Sequence, residues 1–127
     1  MDENNKKILI IDDDKFLLDM YALKFQEKDF EVIRSLGSLE AYDQLKTGLE
    51  PVAVLFDLVM PAMDGFELIE KINTESLAPG AKKIILSNLG QDADKERGKQ
   101  LGVDGYIVKA NATPSEVVQY VLERLNA

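Results

Sequence analysis

Five short runs of mostly branched apolar residues recur along the chain: "KILIID" at 7–12, "EVIRS" at 31–35, "PVAVLFD" at 51–57, "KKIILS" at 82–87 and "DGYIVK" at 104–109. Runs of this length bounded by turn residues predict strands. The stretches between and after them carry helical spacing instead. Leu18, Tyr21, Ala22 and Phe25 share one helix face, as do Val117, Val118, Val121, Leu122 and Leu125. The last of these helices has a clear start signal: Thr113 as N-cap, Pro114 at the first helical position and Glu116 completing a capping box. Shorter helices fit Leu39 to Lys46 behind Ser38 as cap, and Phe66, Ile69 and Ile72 behind Gly65. A fourth, Asp92 to Leu101, is mostly charged, and its thin apolar stripe predicts the least firmly packed helix.

Strands that alternate with helices predict an α/β fold with a parallel sheet covered on both faces, and apolar runs without polar alternation suit burial on both sides. The order βαβαβαβαβα fits a flavodoxin-like (βα)5 domain. This is a doubly wound three-layer sandwich with a five-stranded parallel sheet in the order 2-1-3-4-5. At 127 residues, with no repeat, linker or low-complexity tract, the chain reads as one domain over 1–127 with no output domain.

Composition removes several kinds of function. A formal net charge of -8 repels phosphate backbones and anionic lipid, so neither nucleic acid nor membrane is expected as a direct partner. No cysteine means no disulfide framework, thiol nucleophile or thiolate metal site. No histidine excludes Ser-His-Asp hydrolysis, imidazole metal sites and a phosphohistidine on this polypeptide. The polar start "MDENNKK" and the lack of any span-length apolar stretch make a cytoplasmic location the expectation.

The chemistry sits where the strands end. In an open doubly wound sheet, ligands bind outside the carboxyl ends of the strands where strand order reverses, here between strands one and three. Asp12 and Asp13 end strand one and Asp57 ends strand three, which brings three carboxylates into one pocket. Asp14 is better placed as the N-cap of the next helix. Two bare carboxylates about 4 Å apart repel by roughly 4 kcal/mol at an effective dielectric near 20, so a positive group should offset them. Mg²⁺, a hard cation that uses one or two carboxylates and keeps several waters, is the natural choice. Ser87 after strand four and Lys109 after strand five supply a hydroxyl and an ammonium at the same rim. Such a set suits an acyl phosphate on Asp57, since aspartate can act as a nucleophile toward phosphorus. Singly, each residue has a plainer reading: the acids as caps or turn formers, Ser87 as a turn residue, Lys109 as a solvated lysine, Met60 and Met63 as gap fillers. The coincidence of all of them at consecutive strand ends is what carries weight.

With those residues in view, the chain resembles the receiver domain of the two-component response regulators over essentially its whole length. The matching residues are Asp12 and Asp13 after "ILII", Asp57 within "VLFDLVMPAMDG", Ser87 in "IILS", and Tyr106 and Lys109 in "GYIVK". The resemblance implies a phosphorylation-dependent switch. Asp57 would accept a phosphoryl group from a partner histidine kinase or phosphotransfer protein. Asp13, Asp57 and the backbone carbonyl of Val59 would bind Mg²⁺, with Asp12 acting through metal-bound water. Lys109 would pair with the phosphoryl group, Ser87 would shift to hydrogen-bond it, and Tyr106 would follow from an outward to an inward rotamer. That would change the surface of helix four, strand five and helix five, where an output protein binds. The chain would be a monomer, or a homodimer formed on phosphorylation through its last two helices. It would not be an enzyme beyond its own phosphorylation and dephosphorylation.

Two positions differ from the family pattern. Ala110 stands where a proline with a cis bond usually follows the lysine. A cis bond before a non-proline costs about 2.5–4 kcal/mol, so either that bond is strained or the loop runs trans and displaces Lys109. Asn88 replaces a small residue beside the hydroxyl, where its amide would contact phosphate or hinder an attacking water. Three other readings compete. A degenerate receiver could act as a docking module without phosphate. A Mg²⁺-dependent aspartyl phosphohydrolase of the haloacid dehalogenase kind would carry a second aspartate where this chain has Val59. A flavin or nucleotide carrier would need a hydroxyl- and glycine-rich loop where Asp12, Asp13 and Asp14 stand.

Overall fold

A computed structural model describes residues 5–126. Its elements are β1 (Lys7–Ile11), α1 (Lys15–Gln26), β2 (Glu31–Ser35), α2 (Ser38–Lys46), β3 (Ala53–Phe56), α3 (Gly65–Glu75), β4 (Lys82–Ser87), α4 (Asp92–Gln100), β5 (Gly105–Val108), a 3₁₀ turn (Lys109–Asn111) and α5 (Pro114–Leu125). All strand pairs are parallel, in the order β2-β1-β3-β4-β5. The flavodoxin-like arrangement is the one the sequence predicts. Strands one, three and five are each slightly shorter than their apolar runs, so Asp12, Asp57 and Lys109 lie in the loops just beyond them.

Successive strand residues point to opposite faces, and the core divides accordingly. Ile8, Ile10, Leu55, Ile84 and Leu86 pack against Leu18, Tyr21 and Phe25 of α1 and Val117, Val118 and Val121 of α5. Leu9, Ile11, Val54, Phe56 and Ile85 face the other way, toward Ala41 and Leu45 of α2 and Leu68, Ile69 and Ile72 of α3. Helix α4 contributes one buried residue, Gly98. A Cβ there would lie 3.0 Å from Ile85 Cδ1 and 3.3 Å from Val103 Cγ2, so the missing side chain lets the helix approach the sheet. The thin apolar stripe of this segment thus becomes a helix that seats Gly98 against the sheet and lays Arg97 over the Phe66 ring at 4.5 Å.

Caps set the helix starts. Asp14 accepts from the N–H groups of Phe16 and Leu17, and the Thr113–Glu116 capping box forms in both directions. Helix α2 differs from expectation. Gly37 is its N-cap and Ser38 is already helical, because the chain enters at φ +150°, a value that favours glycine. The buried Ser38 hydroxyl instead donates to the Met63 carbonyl and ties α2 to the β3–α3 loop.

Candidate functional site: an acidic cluster at the strand ends

The backbone hydrogen bonds of β1 and β3 run slightly past the strands. Asp12 N–H donates to Ser35 O and Asp57 N–H to Ile11 O, each at 3.1 Å, which fixes both acids at the point where strand order reverses. Their carboxylates, together with that of Asp13, offer oxygens that all lie within 4.8 Å of one another. Asp12 and Asp57 are 3% and 7% exposed, while Asp13 opens the cluster to solvent. Asp14, the fourth acid of the region, is spent on capping α1.

Lys109 crosses from β5 to close the cluster. Its Nζ donates to Asp12 Oδ2 at 2.7 Å and to Asp57 Oδ2 at 3.1 Å. The Lys109–Ala110 bond is trans, as the described residues contain no cis peptide bond. Of the two alternatives for that loop the trans one holds, and Lys109 still reaches both carboxylates. Each acid also takes a backbone donor: Asp14 N–H reaches Asp12 Oδ1 at 2.9 Å and Leu58 N–H reaches Asp57 Oδ1 at 2.7 Å.

Burial raises the Asp12 carboxyl above the usual range, against the lowering by hydrogen bonds from Lys109 and the Asp14 N–H; the Asp57 charge raises it further. Burial works against the Lys109 ammonium too, yet its hydrogen bond to Asp12 and the charge of Asp57 prevail and raise its pKa. By formal charge, three carboxylates set against one ammonium leave an excess of two negative charges. Hard oxygen donors, an open side at Asp13 and two residual charges fit Mg²⁺.

The other expected residues take different positions. Ser87 is 1% exposed, and its Oγ accepts from Leu89 N–H at 3.3 Å within its own loop. Tyr106 donates its hydroxyl to the Leu89 carbonyl, and burial pushes its pKa up to about 12 with the Asp94 charge adding to the rise. Ser87 and Tyr106 therefore meet at the backbone of one residue, Leu89, which no sequence signal marked. Asn88 is exposed beside it. Val59 is 63% exposed in the loop two residues past Asp57. Met60 is buried and Met63 partly buried in the α2/α3 core, consistent with gap filling. The sequence reading also missed Gly65 as part of the site: a Cβ on it would lie 2.2 Å from the Asp57 carbonyl oxygen. The "DG" at 64–65, where Asp64 caps α3, was the available signal.

A flavodoxin-like domain with clustered carboxylates and a lysine at its strand-order switch point defines the class of CheY-like domains. Comparison with known proteins agrees. The family described as response regulator receiver domain matches residues 8–122. The chain is 31% identical over 111 residues to the chemotaxis protein CheY of Halobacterium salinarum, covering 87% of this chain and 89% of that protein. It is 31% identical over 121 residues to the response regulator GtcR of Aneurinibacillus migulanus, covering 95% of this chain and 48% of the relative. The chain spans about half the length of most curated relatives it matches, GtcR included. A CheY-like receiver domain from Methanospirillum hungatei superimposes with a TM-score of 0.86 at 29% identity, covering 95% of this chain and 94% of that one. The chain therefore belongs to the response regulator receiver family, whose members are signalling domains of two-component systems rather than enzymes for a separate substrate. Receivers generally bind Mg²⁺ at such an acidic pocket and take their signal from histidine kinases or phosphotransfer proteins. Among the described residues, no helix is long and apolar enough to cross a membrane.

Proposed function

We propose that Asp57 is the phosphoacceptor of a signalling switch. A carboxylate oxygen of Asp57 attacks the phosphorus of a partner's phosphohistidine. The P–N bond breaks, its electron pair stays on the imidazole nitrogen, and an acyl phosphate forms. The observation that carries this reading is the convergence of Asp12, Asp13, Asp57 and Lys109 from three loops on one partly open pocket. Asp13, Asp57 and the Val59 carbonyl would hold Mg²⁺, with Asp12 reaching it through water; the ion supplies charge neutralisation for the transferring group. Lys109, already between two carboxylates, pairs with the phosphoryl oxygens. Phe16, Val59 and Leu89, exposed just past the carboxyl ends of β1, β3 and β4, offer apolar surface to the phosphodonor.

The output runs through Leu89. When Ser87 Oγ turns toward a phosphoryl oxygen, the Leu89 N–H loses its acceptor and the carbonyl that holds Tyr106 shifts. Helix α4, whose one buried residue is Gly98, moves with the loop, and the α4–β5–α5 surface changes for its partner. Incubation with acetyl phosphate and Mg²⁺, followed by intact-mass measurement, tests the reading. One phosphoryl group is expected on the parent and none on Asp57→Asn. Equal labelling of both refutes the assignment of Asp57, and labelling of neither favours a docking module.

A further inference from the structure

The end of the sheet opposite the acidic cluster holds a cavity of about 610 Å³ between the starts of β1, β3 and β4 and the last turn of α5. That volume lies within the roughly 300–1,000 Å³ typical of small-ligand pockets. Its apolar lining includes Phe30, Val52, Leu122 and Leu125. Ala78 in its wall is buried at φ +42°, a strained backbone of the kind found at ligand clamps.

The charged groups of the cavity are ordered. Side chains alternate along a strand, so Lys82 shares a face with Ile84. Lys6 lies just before β1 and reaches over Phe30; Ile84 and Phe30 both belong to the α1/α5 side of the core, and the two lysines therefore stand on that side with β3 between β1 and β4. Lys6 Nζ sits 4.7 Å from the Phe30 ring centroid. Among the described residues neither lysine makes an ion pair, and Glu50 is the one carboxylate lining the cavity. In a chain of net charge -8, the described lining thus carries two lysines against one glutamate above an apolar floor.

We propose that this cavity binds a small amphipathic carboxylate, its apolar body on Phe30, Val52, Leu122 and Leu125 and its anionic end between Lys6 and Lys82. The site shares no residue with the Asp57 cluster, so it stands or falls independently of the phosphoacceptor reading.

Backbone amide NMR of the full chain, titrated with sodium octanoate below its micelle concentration, tests the proposal, with octylammonium chloride as the cationic counterpart. Octanoate should give saturable shifts at Phe30, Val52, Gly80 and Leu122, and octylammonium should not. Charge reversal at both lysines, Lys6→Glu with Lys82→Glu, should weaken octanoate at least tenfold. Gly80→Phe should abolish binding: a Cβ there meets nothing within 4 Å, and Gly80 is not in the left-handed region. Asp57→Asn should bind octanoate as the parent does. Absence of saturable shifts at these residues, equal binding of the two probes, or octanoate binding unaffected by the lysine reversals would overturn it.

Discussion

Replacing Lys109 by methionine keeps an unbranched side chain only one atom shorter and removes its charge, which largely separates the electrostatics of the pocket from its packing. The ammonium is 2.7 Å from Asp12 and 3.1 Å from Asp57, and all three side chains are 10% exposed or less. Taking one member from such a buried set costs about 3–5 kcal/mol, because the remaining charges are left without compensation. Asp12 offers an escape, since its carboxyl is already raised and loses with Lys109 both the hydrogen bond and the charge that held it down. The sign follows: a carboxyl raised in the folded state gives stability that is full below its unfolded pKa and drains as pH rises through the folded one. The variant should therefore lose about 3 kcal/mol at pH 8, on the order of 10 °C in Tm, and clearly less at pH 5. Between these limits its deficit grows by at most about 1.4 kcal/mol per pH unit for the single proton. Its pocket carries one more uncompensated negative charge, so Mg²⁺ should restore stability and bind more tightly than in the parent. Saturation a hundredfold above Kd returns about 2.7 kcal/mol. Urea unfolding at both pH values, with chelator or with Mg²⁺, reads all of this. Equal stability of variant and parent at pH 8 in chelator, or a loss independent of pH, would refute the reasoning.

Gly65→Ala forces a Cβ to within 2.2 Å of the Asp57 carbonyl, which is backbone and cannot swing aside, so α3 or the Asp57 loop must shift. Urea unfolding should show a loss of about 1–3 kcal/mol, accompanied by slower acetyl phosphate labelling. Tyr106→Phe bears on the alkaline limit. The Tyr106 phenol, raised to about 12, contributes stability that is full below its unfolded value near 10 and drains as pH rises toward 12. The variant's stability curve should be flatter across that window, with a residual slope from Tyr21, whose hydroxyl is also raised by burial. Curves of equal slope would place Tyr106 outside the coupling.

Much of the fold was legible because its signals are local. Apolar runs and helical spacing depend on residues a few positions apart, as do caps such as Asp14 and Thr113, and each of these formed as read. Ser38 failed as a cap for a non-local reason: its hydroxyl found the Met63 carbonyl, 25 residues on, and Gly37 took the turn. Asp12, Asp13, Asp57 and Lys109 were legible as candidate site residues because each stands at a strand terminus and the topology lines those termini up. The meeting of Ser87 and Tyr106 at Leu89 was not, since it is made by backbone groups, and backbone atoms leave no trace in residue identity.

What the sequence alone determined is the alternation of strands and helices, the acids and the lysine at the strand ends, and the lack of any histidine or thiol chemistry on this chain. The tertiary structure decided which acids share a pocket and which one caps a helix. It also set how Lys109 divides itself between two carboxylates and why Gly65 and Gly98 are small. These are distances between groups up to 97 positions apart in the chain, set by how the packed layers place the loops, and no local pattern encodes them.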